Sequence, residues 1–251
     1  MATYRTIIRK LTLFILFKFP LLDALSLLML FAERASKESV PPVNPKLVYV
    51  YLIVCIGCGV TMSGKFKLHF ACLLYSGQLL LFAINVYTNP AWEYPHWQRV
   101  LVACRQIGCM GIYIMLGSMM SKNRSEWLCR IGEGCLGLYL LSYVYLINSI
   151  PEYKNGFHVH MFGGDYMRFL IALTLAACGL SFFCGTYLRD MSICTAITLI
   201  LTTVFVDLDI SFWMSQGVHQ WIQIRQVMNC AGIVVGFLML WTSVDNRLKI
   251  E

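Results

Sequence analysis

Long apolar runs separated by short polar segments dominate the pattern along the 251-residue chain. A helix needs about 17–25 mostly apolar residues to cross the hydrocarbon core of a bilayer. Runs such as Leu170 to Cys178 are continuous and lack the alternation that is typical of barrel strands. The pattern therefore predicts eight membrane-spanning helices, at residues 11–32, 47–63, 68–86, 98–119, 132–150, 166–187, 192–209 and 222–243.

The predicted fold is an all-α polytopic membrane helix bundle that forms one integral membrane domain over residues 1–251. The first span is unusual because it contains Lys18, Pro20 and Asp23, so an interfacial helix over residues 4–18 is an alternative there. The predicted connectors are short, and the longest has about 15 residues, the upper end of what loops in compact domains reach. A soluble domain outside the bilayer is therefore excluded.

Composition strengthens the membrane interpretation. Apolar residues make up 58% of the chain and charged residues 13%, about half the usual share in soluble domains. The net charge is +7, but the basic residues are scattered at the ends of apolar runs and form no block. This distribution is typical of membrane proteins and argues against nucleic acid as a partner. Membrane lipids are the expected surroundings.

Charge asymmetry predicts the orientation of the chain. With eight spans both termini lie on one side, which then holds 12 of the 20 Lys and Arg residues. The positive-inside rule places that side, with both termini, in the cytosol. None of the 11 cysteines falls in the predicted outer connectors, and the sequon at Asn123 falls in a cytosolic one. Arg247 and Lys249 resemble an endoplasmic reticulum retrieval signal or are ordinary flanking charge, so the endoplasmic reticulum and the plasma membrane both remain open.

Connector lengths in the first half of the chain recur in the second half. Arg105-Gln106 in span four corresponds to Arg225-Gln226 in span eight, 120 positions later. Two tandem four-helix repeats, at residues 1–121 and 122–251, would explain this pattern, and similarity between hydrophobic helices would also explain it. Parallel repeats would be related by an axis along the membrane normal.

Ionisable residues inside spans are costly and mark candidate functional sites. At 1.5 Å per residue, Arg105 lies about 10 Å and Asp23 about 14 Å from the outer ends of their spans, which allows an ion pair between them. Asp207 and Asp209 lie at the level of Arg225. Such pairs either fix helix packing or line a polar cavity for a small ligand. The candidate ligand-binding cluster comprises Asp23, Asn85, Arg105, Asp207, Asp209 and Arg225.

Other motifs favour neither catalysis nor metal binding. His158 and His160 could share a metal with Asp165, but a solvated loop is the simpler interpretation of this connector. Cys55 and Cys58 have the spacing of a redox or metal pair, but they lie inside an apolar span and no second Cys/His pair at zinc spacing occurs. No Ser–His pairing is forced by spacing either, so we expect no catalytic site, no metal and no cofactor. Gly232 and Gly236 form a GxxxG motif that we expect inside the bundle, with a dimer contact as the alternative.

Several segments resemble the transmembrane protein 101 family of animal multi-pass proteins. They are Leu28-Met-Leu-Phe-Ala-Glu-Arg-Ala35, Leu136-Gly-Leu-Tyr-Leu-Leu141, Gly163-Gly-Asp165 and the stretch from Asp207 to Trp213, together with Trp97, Arg105 and Gly232. The resemblance implies an eight-span integral membrane protein with no established enzymatic activity. It also implies an association with NF-κB signalling through protein partners, and it supplies no catalytic residues.

Two functions follow as hypotheses. One is a non-enzymatic membrane protein that acts through protein partners in signalling. The alternative is a transporter or binding protein for a small solute or lipid, with the charged cluster as its site. A continuous polar cavity would favour transport, whereas a closed core with each Arg paired to one acid would favour the partner-binding function.

Overall fold

The computed structural model describes residues 2–37, 45–89, 92, 94–121 and 125–243. Within these ranges all regular secondary structure is helical. In chain order the elements are α1 (Ala2–Lys37), α2 (Pro45–Ser63), α3 (Leu68–Thr88), α4 (His96–Met120), α5 (Glu126–Ser149), α6 (Pro151–His160), α7 (Gly164–Cys184), α8 (Leu188–Thr202), a π turn (Thr203–Asp207), α9 (Ile210–Ser215) and α10 (Gln220–Ser243).

Eight segments in the described part of the chain are long and apolar enough to cross a membrane. Each contains or overlaps one predicted span, so the predicted all-α fold with eight spans is confirmed. They are Tyr4–Glu33, Lys46–Ser63, Leu68–Thr88, His96–Met120, Glu126–Ser149, Gly164–Cys184, Leu188–Asp207 and Gln220–Ser243.

Helix α1 is unbroken from Ala2 to Lys37 although Pro20 lies inside it. Its 36 residues extend about 54 Å at 1.5 Å per residue, which exceeds the roughly 30 Å of hydrocarbon in a bilayer. Residues 4–18, for which the sequence allowed a separate interfacial helix, therefore belong to the same helix as the first span.

Spans that are consecutive in the chain are also neighbours in space. Each span contacts the next one, and the last span, α10, also packs along the first, α1. Helices α4 and α10 also contact each other, and α4 has the largest buried share of all spans. The predicted tandem repeat stays a prediction, and superposition of residues 1–121 on 122–251 would test it.

The GxxxG motif of α10 lies inside the bundle. A Cβ atom at Gly232 would come within 2.6 Å of the Phe19 ring on α1, and one at Gly236 would overlap Ile112 on α4. Glycine at these two positions lets α10 approach both helices closely. The expected internal role of the motif is thus confirmed.

The connector between α5 and α7 is not a solvated loop. Residues Pro151–His160 form α6, in which Tyr153 and Phe157 are buried at helical spacing. The loop prediction was wrong because the connector has an apolar face that packs against neighbouring elements. The sequon at Asn123 and the basic pair Arg247 and Lys249 lie outside the described residues.

Candidate functional site

The first buried ion pair joins α1 to α10. Arg225 Nη2 lies 2.9 Å from Asp23 Oδ1, and the two side chains are only 5% and 3% exposed. The Tyr75 hydroxyl on α3 donates to Asp23 Oδ2 at 2.9 Å. The guanidinium carbon of Arg225 lies 4.5 Å from the centroid of the Phe82 ring, within cation–π distance. Groups from three helices therefore hold this pair.

The second buried ion pair joins α4 to the π turn. Arg105 Nη2 donates to Asp207 Oδ2 at 2.5 Å, and both side chains are fully buried. Tyr153 on α6 accepts from Arg105 Nη2 and donates to Asp207 Oδ1, each at 3.4 Å. Burial, together with the negative charge of Asp207, raises the pKa of Tyr153, so its hydroxyl stays protonated and can donate.

The π turn presents Asp207 to Arg105. The amide of Leu208 donates to the carbonyl of Thr203 at 2.9 Å, the wide hydrogen bond of a π helix. The side-chain amide of Gln223 on α10 donates to the Asp207 backbone carbonyl at 2.7 Å. Helix α10 thus supports the end of the turn from which the carboxylate projects.

The sequence predicted the wrong partners for these charges. Asp23 was expected to pair with Arg105, and Asp207 with Arg225, whereas the structure pairs Asp23 with Arg225 and Arg105 with Asp207. Depth along a span defines only a level in the membrane. The lateral order of the helices selects the partner, and α1 packs along α10. Each pair consequently links the first half of the chain to the second.

Two predicted members of the cluster make other contacts. Asp209 caps α9, because its Oδ1 accepts from the Phe212 amide at 2.9 Å, and its Oδ2 lies 3.7 Å from His160 Nε2. Asn85 accepts a hydrogen bond at 3.1 Å from the indole of Trp92. Neither side chain contacts an arginine in a described ion pair, so the predicted six-residue cluster divides into two pairs and two separate polar contacts.

Both pairs are buried, and the cavity beside the Asp23–Arg225 pair is small. A cavity of about 10 Å³ adjoins Arg225 and Gln226, and its other lining residues are apolar or aromatic. That volume is at the lower limit for one water molecule. Among the described residues, Nε and Nη1 of both Arg105 and Arg225 have no hydrogen-bond acceptor. Each guanidinium is therefore bound to one carboxylate through Nη2, while two of its buried nitrogens have no acceptor in the described part of the chain.

Sequence reasoning missed the aromatic and thiol members of the site. Tyr75 lies in the middle of α3, away from the span ends where interfacial aromatic residues collect, and this position was a usable signal. Tyr153 was hidden in the connector that we expected to be a loop. Cys55 Sγ lies 3.9 Å from Asp23 Oδ2 and accepts from Gln78 Nε2 at 2.9 Å.

The predicted metal alternative does not assemble. Asp165 accepts from Arg168 Nε at 3.0 Å, whereas His160 lies near Asp209. No group of three or more His, Cys, Asp or Glu side chains within the described ranges is arranged to hold a metal ion. All 11 cysteines are free thiols.

Comparison with known proteins identifies the family. No solved structure matches this chain. The sequence profile of the TMEM101 protein family matches residues 2–243, which is nearly the whole chain. The match includes both ion pairs and all eight spans. The chain therefore belongs to the TMEM101 protein family.

Proposed function

We propose that this chain is a non-enzymatic membrane protein that acts by binding protein partners in signalling. NF-κB activation is the pathway that the family resemblance implies. The observation that carries the proposal is that the four intramembrane charges Asp23, Arg105, Asp207 and Arg225 are paired and buried among the helices. Charges paired in this way stabilise the helix arrangement.

Exposed aromatic side chains at the ends of the bundle, where such residues also meet the membrane interface, are the candidate contacts with partners. Trp127, at the start of α5, is 72% exposed, and Tyr166, at the start of α7, is 89% exposed. These helices begin at opposite faces of the bundle, so the predicted orientation puts Trp127 at the cytosolic face and Tyr166 at the outer face. Aromatic residues are enriched among the side chains that contribute most to protein interfaces.

A reporter assay tests the proposal. Cells that express the full-length chain carry an NF-κB reporter, and we expect Trp127→Ala to lower reporter output. Loss of an aromatic anchor costs about 2 kcal/mol or more when it occupies the centre of an interface. Tyr166→Ala is the matched control at the other face, and output is normalised to protein level. Equal output from cells with and without the wild-type chain would contradict the proposal.

Transport of a small solute is the second candidate, and the π turn favours it. Single π turns occur frequently at functional sites, and this one holds a charged side chain inside the membrane. Reconstituted vesicles loaded with a panel of labelled small anions and amino acids test this function. Transport predicts flux that Asp207→Asn abolishes. Absence of flux with wild-type protein, combined with a partner-dependent reporter signal, supports the first candidate.

A further inference from the structure

A lateral groove separates α2 from α3 at the face of the bundle where α3 begins. It has a volume of about 800 Å³, within the range of ligand sites. A Cβ atom at Gly57, which lines the groove, would meet nothing within 4 Å. The other lining residues include Ile53, Thr61, Lys67 and Phe70.

The groove is apolar where it enters the membrane. The Thr61 hydroxyl donates to the carbonyls of Gly57 and Cys58 at 2.8 and 2.9 Å, so it offers the groove mainly its methyl group. Ile53 lies ten residues from the end of α2 at Ser63, which is about 15 Å of helix. That depth equals roughly half of the hydrocarbon core. The groove thus matches an acyl chain from one leaflet.

Two lysines lie at the end of the groove where α3 begins. Lys67 lines the groove, and Lys65 lies in the same exposed turn. Both residues have a left-handed backbone conformation, with φ of 42° at Lys67 and 56° at Lys65. No Asp or Glu occurs from residue 39 to residue 92, so no acidic side chain of α2 or α3 offsets these lysines. The turn also forms the N-terminus of α3, whose dipole adds positive potential.

We propose that this groove binds an anionic glycerophospholipid, with one acyl chain between α2 and α3 and the phosphate-bearing headgroup at Lys65 and Lys67. Basic residues beside a crevice between transmembrane helices recognise such headgroups. The apolar depth of the groove selects a lipid over a free anion. The two lysines, Lys65 and Lys67, favour an anionic headgroup over a zwitterionic one.

Native mass spectrometry of the full-length protein in mild detergent tests this proposal. The probes are phosphatidylserine and phosphatidylcholine with identical acyl chains, and the measured quantity is the affinity for the first bound lipid. One lysine contributes about fivefold in affinity for an anionic lipid, so we expect a preference for phosphatidylserine of roughly 25-fold. The double variant Lys65→Gln, Lys67→Gln is expected to lose that preference.

A second variant separates the groove from the lysines. Gly57→Leu fills open space and is expected to weaken binding of both lipids, whereas Gly77→Leu on α3, which also meets open space, is the matched control. Lys154→Gln, at the other face, controls for general loss of charge. Equal affinity of the wild type for the two lipids, or unchanged phosphatidylserine binding by Gly57→Leu or by the lysine variant, would overturn the proposal.

Discussion

The two buried ion pairs make a quantitative prediction about helix assembly. Asp207 is the only carboxylate bound to Arg105 in the described contacts, and both side chains are fully buried. Substitution of one member leaves the other charge buried without its partner, which costs about 3–5 kcal/mol. Two single variants, Arg105→Ala and Asp207→Ala, should therefore each reduce the free energy of unfolding by about 4 kcal/mol.

The double variant should lose much less than the sum of the singles. With both charges removed, the remaining cost comes from lost packing and from the Tyr153 hydroxyl, about 4–5 kcal/mol in total. The coupling free energy of Arg105 with Asp207 is then about 3 kcal/mol. A double-mutant cycle of Asp23 with Arg225 should give a coupling free energy of similar size.

Equilibrium unfolding of the full-length protein in mixed micelles measures these free energies. The control is the cycle of Asp23 with Arg105, which the sequence suggested as a pair and the structure separates. Its coupling should be well below that of the two structural pairs. Additive losses for Arg105 and Asp207, or coupling between Asp23 and Arg105 as large as 3 kcal/mol, would refute the assignment of partners.

Three further predictions concern packing, hydrogen bonding and orientation. Gly236→Leu should destabilise the protein by about 1–3 kcal/mol in thermal unfolding because the side chain would overlap α4, whereas Gly134→Leu, which meets open space, should be nearly neutral. Tyr153→Phe removes the hydroxyl that contacts Arg105 and Asp207 and should cost about 1.5–3 kcal/mol by the same measurement, and an unchanged stability would show that these 3.4 Å contacts contribute nothing. The chain should show no mass shift after glycosidase treatment if Asn123 is cytosolic, and a glycan at that residue would reverse the predicted orientation.

The fold was largely predictable because one physical requirement governs it. A backbone in hydrocarbon must satisfy its own hydrogen bonds, so each apolar run of sufficient length becomes a helix. This reasoning located all eight spans. It failed for Pro151–His160, where burial depends on α6 packing against other parts of the chain rather than on a long apolar run.

Four charged members of the candidate site were predictable, whereas their pairing and the aromatic and thiol members were not. Asp23, Arg105, Asp207 and Arg225 stand out because ionised groups inside spans are rare and expensive. Their partners depend on which helices are lateral neighbours, and a single sequence does not encode that order in any local signal. Asp209 was misassigned for a related reason, because the chain leaves the π turn before it and uses the carboxylate to cap α9.

By itself the sequence determined that this protein is a bundle of eight membrane helices and that Asp23, Arg105, Asp207 and Arg225 lie within the spans. Both properties follow from transfer of individual side chains and backbone groups into hydrocarbon, which depends on local composition. Only the tertiary structure decided that each arginine binds an acid from the other half, that both pairs are buried, and that a groove opens between α2 and α3. These properties depend on how the helices pack against one another, where glycine positions and side-chain shapes select one arrangement.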